Sequence, residues 1–278
     1  MTSHDYHNIP FPGSTLLRCE VGSGVHGIAQ AGKNDHDEMG VCIEPFDRAF
    51  GVDHIFEQYI FRTAEIREGR KNAPSGPGDL DLTIYSLRKW TQLALKGNPT
   101  VLLLLFSPNP VWIDTRGLEL RRTAPLFASK RAGRCFLGYL HTQRERLQGT
   151  RGQQNVNRKA LVDLHGFDTK YASHVIRLGY QGVEYLETGA LTLPLQPEIR
   201  DRCLAIRQGH VPLVEILEET QQLDHELQTL LTTSALPDLP QTDRVERWDA
   251  RSISGSVVQR FTVIKWVCES PLYPRPRH

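Results

Sequence analysis

Short apolar runs separated by turn residues mark the first third of the chain. Leu16, Leu17, Cys19 and Val21 form a strand-like run ending at the small-residue turn Gly22-Ser23-Gly24, and Asp37 to Ile43 forms a second, closed by Glu44-Pro45. Asn72 to Gly78 is a loop by its proline and glycine content, and Asp79 to Tyr85 after it reads as a third strand. That strand passes into a helical spacing, Leu87, Trp90, Leu93 and Ala94, with Gly97 as its C-terminal cap. Asn98-Pro99 then restarts the chain in the order of an N-cap and a first helical residue.

From about residue 120 the spacing is helical almost to Leu231: Arg131 to Leu147, Arg158 to His165, Asp168 to Thr188, Pro197 to Arg207 and Pro212 to Leu231. Pro197 and Pro212 suit first-turn positions, and Gly149, Gly189 and Gly209 fall where helices should stop. The pattern predicts an α+β protein with an α/β domain over residues 1–115, a helical domain over 116–235 and an extension over 236–278. Within the extension, Val257 to Val267 is strand-like.

At 278 residues and 39% hydrophobic, the chain can build a sizeable core. Lys+Arg 33 against Asp+Glu 32 leaves a formal charge of +1, which excludes net charge as a driver toward nucleic acid or acidic membranes and leaves a local basic face open. The cysteines Cys19, Cys42, Cys135, Cys203 and Cys268 are scattered, odd in number and form no CxxC, which argues against a disulfide framework or thiolate zinc site and for a reducing compartment. The longest apolar run, Val101 to Phe106, falls far short of the ~20 residues that cross a bilayer. The N-terminus lacks a basic start followed by an apolar stretch, so a cytoplasmic location without a membrane partner is expected.

The segment from Val21 to Glu44 carries the candidate chemistry. Gly22, Gly24 and Gly27 spell the GxGxxG of dinucleotide-binding folds, which would suit an NAD(P)-dependent oxidoreductase, but Gly32-Lys-Asn-Asp35 interrupts the helix that motif requires. In a second reading, Gly22-Ser23 is a tight turn whose amides and hydroxyl suit phosphate oxygens. Asp35 and Asp37, two residues apart on a strand, share a face, and two like charges so close ask for a hard divalent cation, Mg²⁺ or Mn²⁺. Asp81, flanked by Leu80 and Leu82, is the best-placed third carboxylate, with Asp79 as a fallback. Lys170, His174 and Arg177 fall at i, i+4 and i+7 on one helix face and could grip a triphosphate or an RNA backbone; the plain alternative is a solvated face. His26 and His36 read as local hydrogen-bonding residues, because no partner stands at zinc spacing.

A glycine-serine pair, a spacer, Asp-x-Asp leading into an apolar strand and a later apolar-flanked Asp together resemble the DNA polymerase β-like nucleotidyltransferase superfamily. The block from Ile84 to Pro108, with Lys170-x-x-x-His174-x-x-Arg177-Leu178 and Glu187-Thr188-Gly189-x-Leu191, is similar to the bacterial and phage nucleotidyltransferases that include the RNA-ligase-associated group. The resemblance spans residues 16 to 232. It implies a polymerase β-like head, a mixed sheet flanked by helices, followed by a helical domain; the loop-borne Gly22-Ser23 and the basic helix face lead to the expectation that the active site lies in the crevice between them.

By position, Gly22 and Ser23 would hold the triphosphate and Asp35 and Asp37 would ligate the metals. Asp81 would tune metal geometry or take the acceptor's proton, and Lys170, His174 and Arg177 would assist nucleotide binding. His36 and Glu38 depart from the superfamily, which favours an apolar residue or tyrosine at the first position and an apolar residue at the second. The implied reaction transfers a nucleoside monophosphate from an NTP to an RNA end, a protein hydroxyl or a small molecule. A catalytically silent nucleotide sensor or partner-binding module is the alternative.

Overall fold

The structure, a computed structural model, describes residues 11–12, 14–30, 32, 35–44, 56–148 and 159–248. Five strands form one mixed sheet: β1 (Thr15–Glu20), β2 (His36–Cys42), β3 (Gln58–Arg62), β4 (Leu80–Ser86) and β5 (Pro110–Ile113), in the order β3-β4-β2-β1-β5. Only the β2–β4 pair is parallel.

In β4 the buried residues Leu80, Leu82, Ile84 and Ser86 alternate with half-buried ones, as the two-residue period of a strand demands. One face of the sheet packs Leu80, Leu82, Ile84 and Cys42 against Phe11, Phe56, Tyr59 and Phe61. The other packs Leu17, Cys19, Met39 and Val41 against α3 (Leu87–Leu95) and α4 (Pro99–Phe106), following a short α1 (Gly22–Val25) and α2 (Thr63–Glu68) earlier in the chain.

The start signals in the sequence work as their chemistry dictates. Ser86 caps α3 by accepting from the Lys89 N–H, and Asn98 caps α4 by accepting from the Thr100 and Val101 N–H groups with Pro99 at the first turn. Helix α4 is buried on nearly every side, which explains its unbroken run of leucines. Trp90 lies edge-on to Phe127 at 5.4 Å and donates from its indole N–H to the Val101 carbonyl at 3.1 Å.

Beyond β5 come α5 (Thr115–Arg122), α6 (Ala124–Phe127), α7 (Lys130–Leu147), α8 (Lys159–His165), α9 (Thr169–Thr188), α10 (Pro197–Arg207), α11 (Leu213–Thr233) and a final helical stretch at 242–248. Asp168 caps α9 through the Lys170 and Tyr171 N–H groups. Helix α9 lies among α7, α10 and α11. Close packing needs small residues there: a Cβ on Gly179 would stand 2.7 Å from Leu223, and one on Gly182 would stand 2.9 Å from Leu227 and Phe136. The helices join the sheet side through Tyr185, whose ring meets Phe136 and Phe106 at 5.7 and 6.5 Å, and through Arg207, which donates to the Ile28 carbonyl at 2.8 Å.

Several expectations change. The Gly22-Ser23-Gly24 turn is a single helical turn, and the chain leaves it at once, so the long helix of a dinucleotide fold does not form. Pro212 is the N-cap of α11 rather than a first-turn residue, its extended ψ of 145° ending the preceding loop. Strands β3 and β5 and helices α2, α5 and α6 were not foreseen. β3 is an edge strand with a mixed burial pattern, and β5 opens on proline, so neither shows a clean alternation. Gly149, Arg158, Cys268 and the strand-like run 257–267 lie outside the described residues. Among the described residues, no helix is long and apolar enough to cross a membrane.

Candidate active site

Parallel pairing of β2 with β4 sets Asp37 directly beside Asp81, and Asp35, the residue just before β2, is two residues from Asp37 and on the same side. One carboxylate oxygen from each of the three lies within 4.8 Å of the others. Asp37 is half-buried, and its pKa is raised from 3.8 to about 6, first by desolvation and then by the charges of Asp35 and Asp81, with Lys170 and His36 opposing.

The glycine-serine turn abuts this cluster. The Val21 N–H donates to the Asp37 carbonyl at 2.8 Å, and Gly22 follows with φ +65°. A Cβ at Gly22 would stand 2.2 Å from Asp37 Oδ2, so both the backbone angle and the space require glycine. A Cβ on Gly24 would collide with the Glu20 carboxylate, and one on Gly27 would press on Pro194 and Arg200. The three glycines of the GxGxxG pattern therefore serve close packing, and of the three Gly22 is the one that packs against the aspartate cluster.

The basic face of α9 divides. Lys170, exposed in the first turn, acts on Asp37 through its charge. Arg177 turns to a polar knot behind the glycine-serine turn, where it donates to His26 Nε2 and to Gln181 Oε1, each at 2.7 Å, and to His174 Nε2 at 3.3 Å. Burial holds His26 well below its ordinary pKa, with the charges of Arg177 and His174 adding to the effect, so it is neutral and its Nε2 is free to accept. Burial also brings Arg177 down to about 10, which leaves it charged at neutral pH.

Asp79, the fallback ligand, is not in the cluster. It precedes β4 and is held by the Thr63 hydroxyl at 3.0 Å, the Gly76 N–H at 2.9 Å and the Arg67 guanidinium, which keeps its carboxyl well below the usual range. Two residues of the site escaped the sequence reading. Arg62, opposite Asp81 in the β3–β4 register, donates to it from Nε at 3.2 Å and Nη2 at 3.0 Å, and the Ser75 hydroxyl donates to it at 2.6 Å. No strand or helix spacing signals either one: β3–β4 pairing brings Arg62 there, and the loop before β4 brings Ser75.

On the opposite face of β2, His36 bonds Glu38 at 2.9 Å and approaches Glu20 at 3.6 Å, while Glu38 meets Arg18 at 2.8 Å. The polar residues that depart from the superfamily pattern are thus compensated internally, away from the aspartates. A separate cavity of about 490 Å³ is lined by residues of α9, α10 and α11, including Tyr180, Arg202, Glu215 and Glu219. Arg202 bonds both Glu215 and Glu219, and the Tyr180 hydroxyl donates to Glu219, so its groups are largely engaged with one another.

A family model described as "RNA repair pathway DNA polymerase beta family" matches residues 3–250. The chain belongs to this RNA-repair polymerase β family. A solved nucleotidyltransferase-like protein from Exiguobacterium sibiricum 255-15 is similar at 12% identity, covering 80% of this chain and 70% of that one with a TM-score of 0.30. No curated protein matches significantly. As a member of this family the chain is polymerase β-like, and its three aspartates could together bind a metal. The donor set fits a divalent cation, since it is carboxylate oxygens only, and the glycine at position 22 keeps space open beside Asp37.

Proposed function

We propose that the protein transfers a nucleoside monophosphate from an NTP to the end of an RNA, releasing pyrophosphate, with Mg²⁺ or Mn²⁺ held by Asp35, Asp37 and Asp81. The observation that carries this reading is the convergence of three aspartate side chains from β2, β4 and the approach to β2 against the glycine-serine turn. The family's description as an RNA repair group favours RNA as the acceptor. Gly22 and Ser23 hold the triphosphate beside Asp37, and Lys170 offsets its negative charge. His26 and Arg177 brace the segment that follows the turn. Bound divalent cations would lower the pKa of the acceptor hydroxyl and neutralise charge on the departing phosphates. The chain's own contribution is then positioning and electrostatics, as in other phosphoryl transfers.

The test is incubation of the protein with each α-labelled NTP, with Mg²⁺ or Mn²⁺, and in turn with RNA, protein extract and small polyhydroxylated or amino-sugar acceptors, the Asp37→Asn variant alongside. Label on RNA, dependent on metal and absent from the variant, is the expected result. Label on protein or on a small molecule would reassign the acceptor. NTP binding without label anywhere would favour a nucleotide sensor.

A further inference from the structure

The three carboxylates are not equally available. Asp35 and Asp37 accept no side-chain hydrogen bond from the described residues, whereas Asp81 accepts three: Oδ1 from Arg62 Nε and from Ser75 Oγ, and Oδ2 from Arg62 Nη2. A carboxylate offers about four lone-pair sites, so about one remains on Asp81. Arg62 Nη2 also donates to the Ser75 hydroxyl at 2.9 Å, which closes a triangle around the carboxylate. Backbone register fixes this triangle, since Arg62 ends β3 opposite Asp81, and Glu65 stands 3.5 Å from the remaining guanidinium nitrogen.

Resting on the function proposed above, we infer that Arg62, with Ser75, is a built-in counter-cation that restrains Asp81 as a metal ligand, dividing the site into a ready half, Asp35 and Asp37, and a latched half, Asp81. The charges make the case. Three adjacent carboxylates without a cation repel one another, and a bidentate guanidinium satisfies one of them with matched geometry. The same guanidinium competes with any cation for the lone pairs of Asp81 and repels it. The first divalent ion is therefore expected at Asp35 and Asp37, and the second, which needs Asp81, binds more weakly until the negative charge of a nucleotide enters. Arg62 is thus a positioning residue: it aims the remaining lone pair of Asp81 at its neighbours and lowers that ligand's appetite for metal in the empty site.

The test is Mn²⁺ binding followed by electron paramagnetic resonance without nucleotide, on the full chain and on Arg62→Gln, Ser75→Ala, Asp81→Asn and Asp37→Asn. The second site is defined as the component lost in Asp81→Asn. Arg62→Gln is expected to tighten that component about five- to tenfold, the size of a partly exposed ion pair removed, while kcat falls and KM for NTP is nearly unchanged. Ser75→Ala should act in the same direction by about twofold, and it decides the matter alone if Arg62→Gln fails to melt cooperatively. Tighter metal with slower turnover is a combination that a merely structural arginine would not give. An unchanged or weaker second site in a folded Arg62→Gln or Ser75→Ala protein overturns the latch. Mn²⁺ binding that survives intact in Asp37→Asn overturns the proposed function as well, whereas binding lost in Asp37→Asn but indifferent to Arg62 overturns the latch alone.

Discussion

On one face of β2, Glu38 is buried against Arg18 while His36 links it to Glu20; on the other, Asp37 stands beside Asp35 and Asp81, of which, among the described residues, only Asp81 is bound by a guanidinium. Consecutive residues of one strand thus meet opposite electrostatic treatment. The acids of the first face carry their own cations, so that face has no need of a ligand. Those of the second are left with a surplus of negative charge in a half-buried setting, and Asp37 registers it as a pKa near 6. A surplus of this kind marks a place where a cation is wanted.

The contrast between the two faces breaks most visibly if the half-buried acids of the second are neutralised. Asp37→Asn or Asp35→Asn should lower transfer by about 10³-fold or more, the scale seen when preorganised electrostatic groups are removed, with the circular dichroism spectrum and cooperative unfolding retained. Nucleotidyl transfer by both variants at near wild-type rates would remove the distinction between the faces.

The compensated face should respond in stability instead. Arg18 and Glu38 side chains are 4% and 1% exposed, and their 2.8 Å approach lacks hydrogen-bond angles, so attraction between charges holds them. Arg18→Ala leaves the buried Glu38 with His36 as its remaining partner and is expected to cost about 3 kcal/mol in urea unfolding, the low end for breaking a buried pair, whereas the double replacement Arg18→Met with Glu38→Leu should recover most of it. A cost under about 1 kcal/mol for the single variant would mean that Glu38 is not dependent on Arg18.

Gly22 sharpens the boundary between turn and cluster. Gly22→Ala adds a Cβ at φ +65° against Asp37, and it should destabilise by about 1–2 kcal/mol and slow transfer by displacing that carboxylate. Gly32→Ala has the same kind of backbone angle with no atom within 4 Å, so it should carry the backbone cost without the loss of transfer. Equal losses of transfer from the two would show that contact with Asp37 is not what matters at Gly22.

The smallest expected effect is in pH. Because the folded-state pKa of Asp37 is raised, the protonated form favours folding; that contribution is full below about pH 4 and is lost as pH rises through about 6. Metal-free Asp37→Asn should therefore be more stable than the wild type by about 1 kcal/mol at pH 7.5, after allowing for solvent screening, and no more stable at about pH 4. Urea midpoints of the two proteins at both pH values check the sign. A gap that widens toward acid would contradict it.

What the sequence disclosed follows from how local each feature is. The cap at Asn98 and the strand run of β4 are written in adjacent residues, and they appear where expected. Asp35 and Asp37 were legible because a strand puts alternate residues on one face, and the resemblance supplied their meaning. Its place between Leu80 and Leu82 puts Asp81 ahead of Asp79, but the partners of the two were not legible, since Thr63 and Arg67 hold Asp79 and Arg62 and Ser75 hold Asp81 across β3–β4 pairing and the loop before β4. Likewise the burial of Glu38 makes sense only once β1 lies beside it and delivers Arg18. Charge at a strand position reads as exposure until its partner is known.

The measurement that tests the central claim most directly is a crystal structure of the protein grown with Mn²⁺ and a non-hydrolysable NTP analogue, with anomalous scattering recorded at the manganese edge. Anomalous density is expected between Asp35, Asp37 and Asp81, with the triphosphate against Gly22 and Ser23. Manganese bound elsewhere, with none among the three aspartates and the nucleotide away from that turn, would contradict it.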